Sequence, residues 1–364
     1  VRHPHRLPLL ALGMLALLTG LWAGLARLGW DVPLPRPGFS SLHGPLMVSG
    51  FLGTLISLER AVALGRPWAY ATPLLTGLGG VSLIVGAPLL AAQWLMLAGS
   101  LVLVAIFAAI IRRHPALYTF TMGGGSLVWA LGNLLWCLGW PVFLVVFWWA
   151  AFLVVTIAGE RLELARLQQV TGAAQAMFLL LLGILLTGLL LLGWSFDGGV
   201  RLFGLGLAGL ALWLGRHDIA RRTVKQAGLT RFIAICLLTG YVWLGISGLS
   251  AMWFGGVPVG PQYDATLHAF FLGFVFAMIF AHAPIIFPAV LGARMTYRPL
   301  FYAHVVLLQV TLVVRLIGDA AGWSAGRQVG GLLNAVTLLL FLVNTVSALQ
   351  SPPERAGTAQ GRGA

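Results

Sequence analysis

The chain has 364 residues, of which 59% are hydrophobic and only 9% are charged, with a mean hydropathy of +0.95 and a formal net charge of +13. A soluble domain usually carries about 25% charged residues, so this composition excludes an ordinary soluble protein. The positive charge does not indicate nucleic-acid binding, because the basic residues lie in short segments between apolar runs, where they act as topology signals.

Apolar runs of roughly twenty residues recur along the chain, and each is long enough to cross a bilayer as a helix. A transmembrane barrel would show alternating segments of about ten residues, which this sequence lacks. The sequence therefore predicts an all-α, polytopic membrane bundle of about twelve helices over residues 1–350, with a disordered cytoplasmic tail at 351–364. The predicted spans are 7–28, 41–64, 68–89, 91–111, 115–138, 140–158, 174–193, 200–215, 229–253, 263–291, 299–318 and 328–349.

The 22 basic residues are divided unevenly between the two ends of these spans. Seventeen lie on the side that includes both termini, and five lie on the other side. Because basic residues are enriched in cytoplasmic loops, both termini are predicted to be cytoplasmic and the helix count to be even. The five residues on the outer side are Arg27, Arg36, Arg201, Arg315 and Arg327.

The expected partner is the lipid bilayer, and the expected location is the plasma (inner) membrane.

Two histidines are predicted to lie at the same depth, near the outer face. His43 opens the second span within Ser41-Leu-His-Gly44, and His268 opens the tenth within Thr266-Leu-His-Ala269. Both spans run from outside to inside, so the two imidazoles can ligate one haem iron from opposite faces. This pattern predicts a b-type haem site, whereas the alternative is that each histidine only forms a hydrogen bond at the membrane interface.

A flat ring beside His43 needs space along its helix. Gly50 follows His43 by seven residues and lies about 20° from it around an ideal helix, so Gly50 is predicted to provide that space. Metal-ligating histidines are usually oriented by a second hydrogen bond. For His268 the expected partner is Asp264, one turn earlier; for His43 it is Ser40 or a backbone carbonyl.

Arg315 is predicted near the outer end of the eleventh span. Its guanidinium can hold a haem propionate, as can that of Arg327, because arginine forms bidentate pairs with carboxylates. The alternative is a simple ion pair with Asp319, four residues further along the helix.

His282 and His304 form a second candidate pair in the inner half of the membrane. Pro284 and Pro288 follow His282 and interrupt the hydrogen bonding of its helix, as in helices that line a cavity. This pair is predicted to bind a second haem or a metal ion, or to lie on a proton path. The alternative is a histidine bonded to a carbonyl that the prolines leave free.

The stretch His43-Gly-Pro-Leu-Met-Val-Ser-Gly-Phe51 resembles the second helix of the core subunit of haem–copper oxidases and nitric oxide reductases. That resemblance implies twelve helices, with His43 and His268 as low-spin haem ligands on helices two and ten. The spans 140–158 and 174–193 contain no histidine, however, and helix ten lacks the family's His-x-His. Reduction of oxygen or nitric oxide at a haem–copper pair is therefore not expected.

The segment from His268 to His282 is similar to the membrane histidine segments of the NnrS family, which are twelve-helix proteins that contain haem and copper and contribute to nitric oxide tolerance. The resemblance covers two short segments and the helix count. It implies a membrane protein that binds haem, with copper as a further cofactor. The implied role is in the nitric oxide response or in redox chemistry, with an unidentified redox or small-molecule partner.

The rival class is a secondary transporter without a cofactor, which also has twelve helices. Gly53, Glu59-Arg60 and Gly65-Arg66 weakly resemble a loop motif of major facilitator transporters, although with a different spacing. Charged residues near the membrane midplane, expected in a coupled transporter, are sparse. Glu59-Arg60 and Glu160-Arg161-Leu-Glu163 are predicted to be charges that mark the cytoplasmic boundary of their spans.

Overall fold

The computed structural model describes residues 3–165 and 171–350, apart from the side chains of His5 and Gln350; the tail predicted at 351–364 lies outside the described residues. Within these ranges the chain forms twelve long helices and almost no strand, which confirms the all-α prediction. Two-residue strands β1 (Arg294–Met295) and β2 (Leu349–Gln350) pair antiparallel. The long helices are α1 (Leu7–Arg27), α2 (Phe39–Leu64), α3 (Pro67–Val85), α4 (Leu89–Arg113), α5 (Leu117–Cys137), α6 (Val142–Ala165), α7 (Gly172–Leu191), α8 (Phe196–His217), α9 (Gly228–Phe254), α10 (Pro261–Leu291), α11 (Phe301–Ala320) and α12 (Ser324–Ser347).

Eleven of these helices are long and apolar enough to cross a membrane. The remaining one, α5, is less apolar but has no charged residue over its 21 positions. Such helices satisfy their own backbone hydrogen bonds, which is the condition for crossing lipid. The protein is therefore a polytopic, α-helical membrane protein.

Two helix boundaries differ from the predictions for local reasons. Helix α3 ends at Val85 because Gly86 adopts a φ of +82° and Pro88 follows. Helix α8, predicted to be short, is 22 residues long, because the Ser195 hydroxyl accepts a hydrogen bond from the backbone of Gly198 at 3.3 Å and starts the helix earlier.

Helices α2, α6 and α10 occupy the centre of the bundle. Over their apolar cores 61%, 83% and 72% of the residues are buried, against 22 to 56% in the other apolar spans. Side chains also join these three helices pairwise. The ring of His43 in α2 lies 6.2 Å from that of His268 in α10. Arg60 of α2 donates a hydrogen bond to Glu160 of α6, and Arg161 of α6 contacts His282 of α10. The two histidine-bearing helices are thus neighbours, as the haem hypothesis requires.

Three of the four charged residues in Glu59-Arg60 and Glu160-Arg161 make contacts between helices or are buried. Arg60 donates a hydrogen bond to Glu160, and Arg161 is 7% exposed. These charges can lie inside the bundle because they pair with partners on neighbouring helices, and pairing offsets much of the cost of removing them from water. Helix α6 therefore continues past its predicted end at residue 158 to Ala165.

The two helices that carry His43 and His268 change their winding within three residues after the histidine. In α2 the segment Leu46–Leu52 is a π-helix, and in α10 so is Ala269–Val275. Hydrogen bonds in a π-helix span five residues instead of four, so each residue turns by less than the 100° of an α-helix. Faces inferred from a 3.6-residue period therefore do not continue through these segments.

Candidate cofactor site

His43 is fixed by helix α1. Its Nδ1 lies 2.8 Å from the carbonyl oxygen of Gly20. A carbonyl can only accept a hydrogen bond, so Nδ1 carries the proton and Nε2 keeps its lone pair. Gly24, one turn along α1, provides the space for the ring: a Cβ at this position would lie 2.8 Å from Nδ1 of His43.

His268 is held in the same tautomer by its own helix. Its Nδ1 lies 2.9 Å from the backbone oxygen of Asp264 and 3.2 Å from Oδ1 of the same residue. Both atoms accept a hydrogen bond, so Nε2 of His268 also keeps its lone pair. Asp264 therefore orients His268, as the spacing of four residues predicted.

The two imidazole rings lie close enough to each other to share one iron. Their centroids lie 6.2 Å apart, and their planes differ by 23°. Two axial nitrogens at about 2 Å from one metal are about 4 Å apart, and the ring centroids behind them are then roughly 6 Å apart. The separation of His43 and His268 fits this arrangement.

Arg315 connects helix α11 to this pair. Its Nε and one terminal nitrogen donate to Oδ2 and Oδ1 of Asp264, each at 3.0 Å, and the same terminal nitrogen lies 3.3 Å from Nε2 of His268. The ion pair anticipated between Arg315 and Asp319 is replaced by this bidentate contact across two helices. Asp319 instead faces Arg327, with 3.5 Å between Oδ1 and Nε.

A cavity of about 680 Å³ lies beside the two histidines, within the ~300–1,000 Å³ typical of ligand pockets. Six helices line it: α1, α2, α6, α10, α11 and α12. Much of its wall is apolar, including Val48, Leu52, Val146, Leu272, Phe276 and Leu338. Polar groups that line it include Arg27, Tyr263, Asp264, Arg315, Arg327 and Asn334.

Gly50 does not line this cavity, in contrast to the prediction. A Cβ on Gly50 would lie 3.1 Å from the Cβ of Ala16 and 3.7 Å from the Cα of Gly80, so this glycine permits close packing of α2 against α1 and α3. The prediction assumed a regular α-helix, whereas the π-helix at Leu46–Leu52 rotates Gly50 away from the face of His43.

The inner histidines have separate surroundings. The Nδ1 of His282 lies 2.7 Å from the carbonyl oxygen of Met278, and its Nε2 lies 3.2 Å from Arg161. His304 is 2% exposed and packs edge-on against Phe280, with its Nδ1 3.3 Å from the amide nitrogen of Asn344. Neither histidine has the other among its described contacts, and an arginine beside Nε2 of His282 disfavours a cation there.

No cluster of three or more histidine, cysteine, aspartate or glutamate side chains in the described ranges could hold a metal ion.

The contact between Arg161 and His282 was not predicted from the sequence, and neither was the role of Gly24 beside His43. Glu160-Arg161 directly after a long apolar run was an available signal for the first, whereas Gly24 is one of 47 glycines and carries no distinguishing signal.

No curated protein and no solved structure matches this chain. A family model described as a domain of unknown function (DUF8744) matches residues 6–350, which include all twelve long helices and the site. The chain therefore belongs to the DUF8744 family.

Proposed function

We propose that this protein binds one b-type haem near the outer membrane surface, with His43 and His268 as the two axial ligands. The observation that carries the proposal is the pair of nearly parallel imidazoles, 6.2 Å apart, beside a largely apolar cavity. Each Nδ1 is already bonded to a carbonyl, which leaves Nε2 for the iron.

The charged residues of the site suit the propionates of a haem. Arg315 and Arg327 line the cavity, and Arg27 lies at the end of α1 on the same cavity. Arg315 contacts the nitrogen of His268 that would bind iron, so its guanidinium has to move when the site is filled. A carboxylate of the ligand would attract it, because arginine binds carboxylates with two parallel hydrogen bonds.

A haem with two histidine ligands has no open coordination position, and it supplies one-electron transfer. We therefore favour a redox role in the plasma (inner) membrane, with a partner on the outer side. A role in the nitric oxide response, as in the NnrS proteins, requires that one of the two histidines can leave the iron.

The test is the reduced-minus-oxidised absorption spectrum of protein purified from haem-replete cells. The wild-type protein should show a six-coordinate b-type spectrum at one haem per chain, and H43A and H268A should each lose or shift it. His217 is half-buried like the two ligands but lies outside the cavity, so H217A is the matched control and should keep the spectrum.

A wild-type protein without haem would contradict the proposal. In that case metal analysis of the same preparations tests copper: copper that is present in the wild type and lost in both H43A and H268A would indicate a metal site at the same pair.

The transporter alternative has one observation in its favour, the cluster of paired, partly or fully buried charges near the inner ends of α2 and α6. Arg60 bonds Glu160, Arg161 lies 4.0 Å from Asp218, and the Tyr241 hydroxyl donates to Asp218 at 2.7 Å. Ionisable groups inside a membrane bundle often mark ion pathways. Absence of both haem and metal, together with proton-driven uptake in vesicles that E160Q abolishes, would support this alternative.

A further inference from the structure

The segment that joins α8 to α9 is the most basic part of the chain. Five basic side chains lie within residues 216–231, and all five are exposed: Arg216, Arg221, Arg222, Lys225 and Arg231. Asp218 is the only carboxylate between residues 198 and 263, and it is 2% exposed. The charge that this basic segment (residues 216–231) presents at its surface is therefore entirely positive.

Asp218 holds the basic segment in place but does not neutralise its exposed arginines. Its Oδ1 accepts a hydrogen bond from the backbone nitrogen of Ala220 at 2.7 Å, and its Oδ2 accepts one from the Tyr241 hydroxyl on α9, also at 2.7 Å. Arg221 donates from Nη1 to the carbonyl oxygen of Arg216 at 3.2 Å, so its guanidinium lies at the end of α8. A surface whose backbone is fixed before a ligand arrives loses less conformational entropy when the ligand binds.

Helix α8 presents an exposed apolar stripe that ends at this basic segment. Leu205 and Leu212 are 41% and 77% exposed, and Arg216 follows Leu212 by four residues. By the 3.6-residue period, these three residues lie within about 40° of one another around the helix. In a bilayer such a stripe contacts acyl chains, and a basic residue at its end lies at the level of the lipid headgroups.

We propose that the basic segment and the end of α8 form a binding site for an anionic phospholipid, with the phosphate on the arginines and an acyl chain along Leu205 and Leu212. Arginine pairs with phosphate oxygens through two parallel hydrogen bonds. Basic segments beside a membrane-spanning helix attract anionic lipids, and each basic residue near the surface contributes about fivefold to the affinity. A nucleic acid or an acidic soluble protein would use the same positive charge, but neither would use the apolar stripe that adjoins it.

The turn between α4 and α5 offers a matched comparison within the same protein. Arg112 and Arg113 are also exposed and also end a membrane-spanning helix, on the same predicted side of the membrane. Neutralising this pair removes the same charge from the protein as neutralising Arg221 and Arg222. Glutamine at exposed positions such as these is expected to leave folding unchanged.

The experiment measures lipid binding to the purified full-length protein in detergent by native mass spectrometry. The probes are dioleoylphosphatidylglycerol and dioleoylphosphatidylcholine, which have the same acyl chains and differ in headgroup charge. The wild-type protein should bind phosphatidylglycerol about 10-fold or more tightly than phosphatidylcholine. R221Q/R222Q should lower the affinity for phosphatidylglycerol by about 10-fold or more and leave that for phosphatidylcholine unchanged, whereas R112Q/R113Q should bind both lipids like the wild type.

Equal affinity of the wild type for the two lipids overturns the proposal without any variant, and so does an equal loss in the two double variants. Displacement of the bound lipid by an equal concentration of inorganic phosphate would assign the site to a free anion and overturn the lipid. Tighter binding of a DNA oligonucleotide or of polyglutamate than of phosphatidylglycerol would assign the basic segment to a soluble polyanion and overturn it as well. Because none of these measurements depends on haem, the result is independent of the proposed function.

Discussion

At the scale of single residues, the position of His43 depends on a glycine in another helix. The Gly20 carbonyl fixes the tautomer of His43, and Gly24 leaves the space that the ring occupies. Contacts of this kind typically change metal affinity by about 10- to 100-fold when they are removed. A residue that touches no cofactor can therefore control whether the site forms.

We predict that G24A weakens haem binding by about 10-fold or more, because its methyl group, 2.8 Å from Nδ1 of His43, pushes the ring off the Gly20 carbonyl. Haem titration followed by absorbance measures the effect. Gly13 lies on the same helix, and its added Cβ would make an ordinary 3.5 Å contact with Thr54, so G13A should bind haem like the wild type. Equal binding by G24A would contradict the role assigned to the Gly20 contact.

At the scale of helices, glycine determines which pairs of helices pack backbone to backbone. The added Cβ of Gly188 on α7 would lie 2.8 Å from the Cα of Phe203 and 2.9 Å from the carbonyl oxygen of Gly199, both on α8. Small residues allow such approaches in membrane bundles, where packing and hydrogen bonding replace the hydrophobic effect between helices. Helices α7 and α8 are held together in this way.

We predict that G188A destabilises the protein by about 1–3 kcal/mol, because the methyl group meets backbone atoms that cannot rotate away. Thermal unfolding in detergent, followed by circular dichroism, measures the change. Gly183 on the same helix has nothing within 4 Å of an added Cβ, so G183A should leave the midpoint unchanged or raise it slightly. Equal midpoints for the two variants would show that α7 and α8 are not packed this closely.

At the scale of the whole molecule, the three most buried of the eleven apolar spans are α2, α6 and α10, so three helices of the sequence lie between each of them and the next. They contact one another through the histidine pair near the start of α2 and α10, and through Arg60–Glu160 and Arg161–His282 further along. All three cross the membrane in the same direction if the helices alternate. The orientation itself is a prediction from the charges.

We predict that reporter fusions after Arg36, Arg113, Trp194 and Lys225 read outside, inside, outside and inside, because 17 of the 22 basic residues lie on the side of the termini. All four positions lie between helices or at a helix end, so no fusion cuts a span in its interior. Enzymatic reporters that are active on only one side of the membrane make the measurement. A reversal at any of the last three positions would contradict the orientation.

The sequence by itself determined the class, the approximate number of spans and which helices carry His43 and His268, because the length of an apolar run follows directly from the thickness of the bilayer. It also predicted Asp264 as the partner of His268, since that contact lies within one helix. Contacts of this kind depend only on local geometry, which the helix period gives.

Only the tertiary structure decided which face of each helix points inward. In a membrane bundle both the lipid-facing and the interior surfaces are apolar, so hydrophobic periodicity does not tell them apart. The π-helices at Leu46–Leu52 and Ala269–Val275 shifted these faces further and moved Gly50 out of the site. The packing of α10 against α11 likewise decided that Arg315 pairs with Asp264 instead of Asp319. An ion pair between two helices depends on how the helices are rotated relative to each other, and a local sequence pattern does not contain that information.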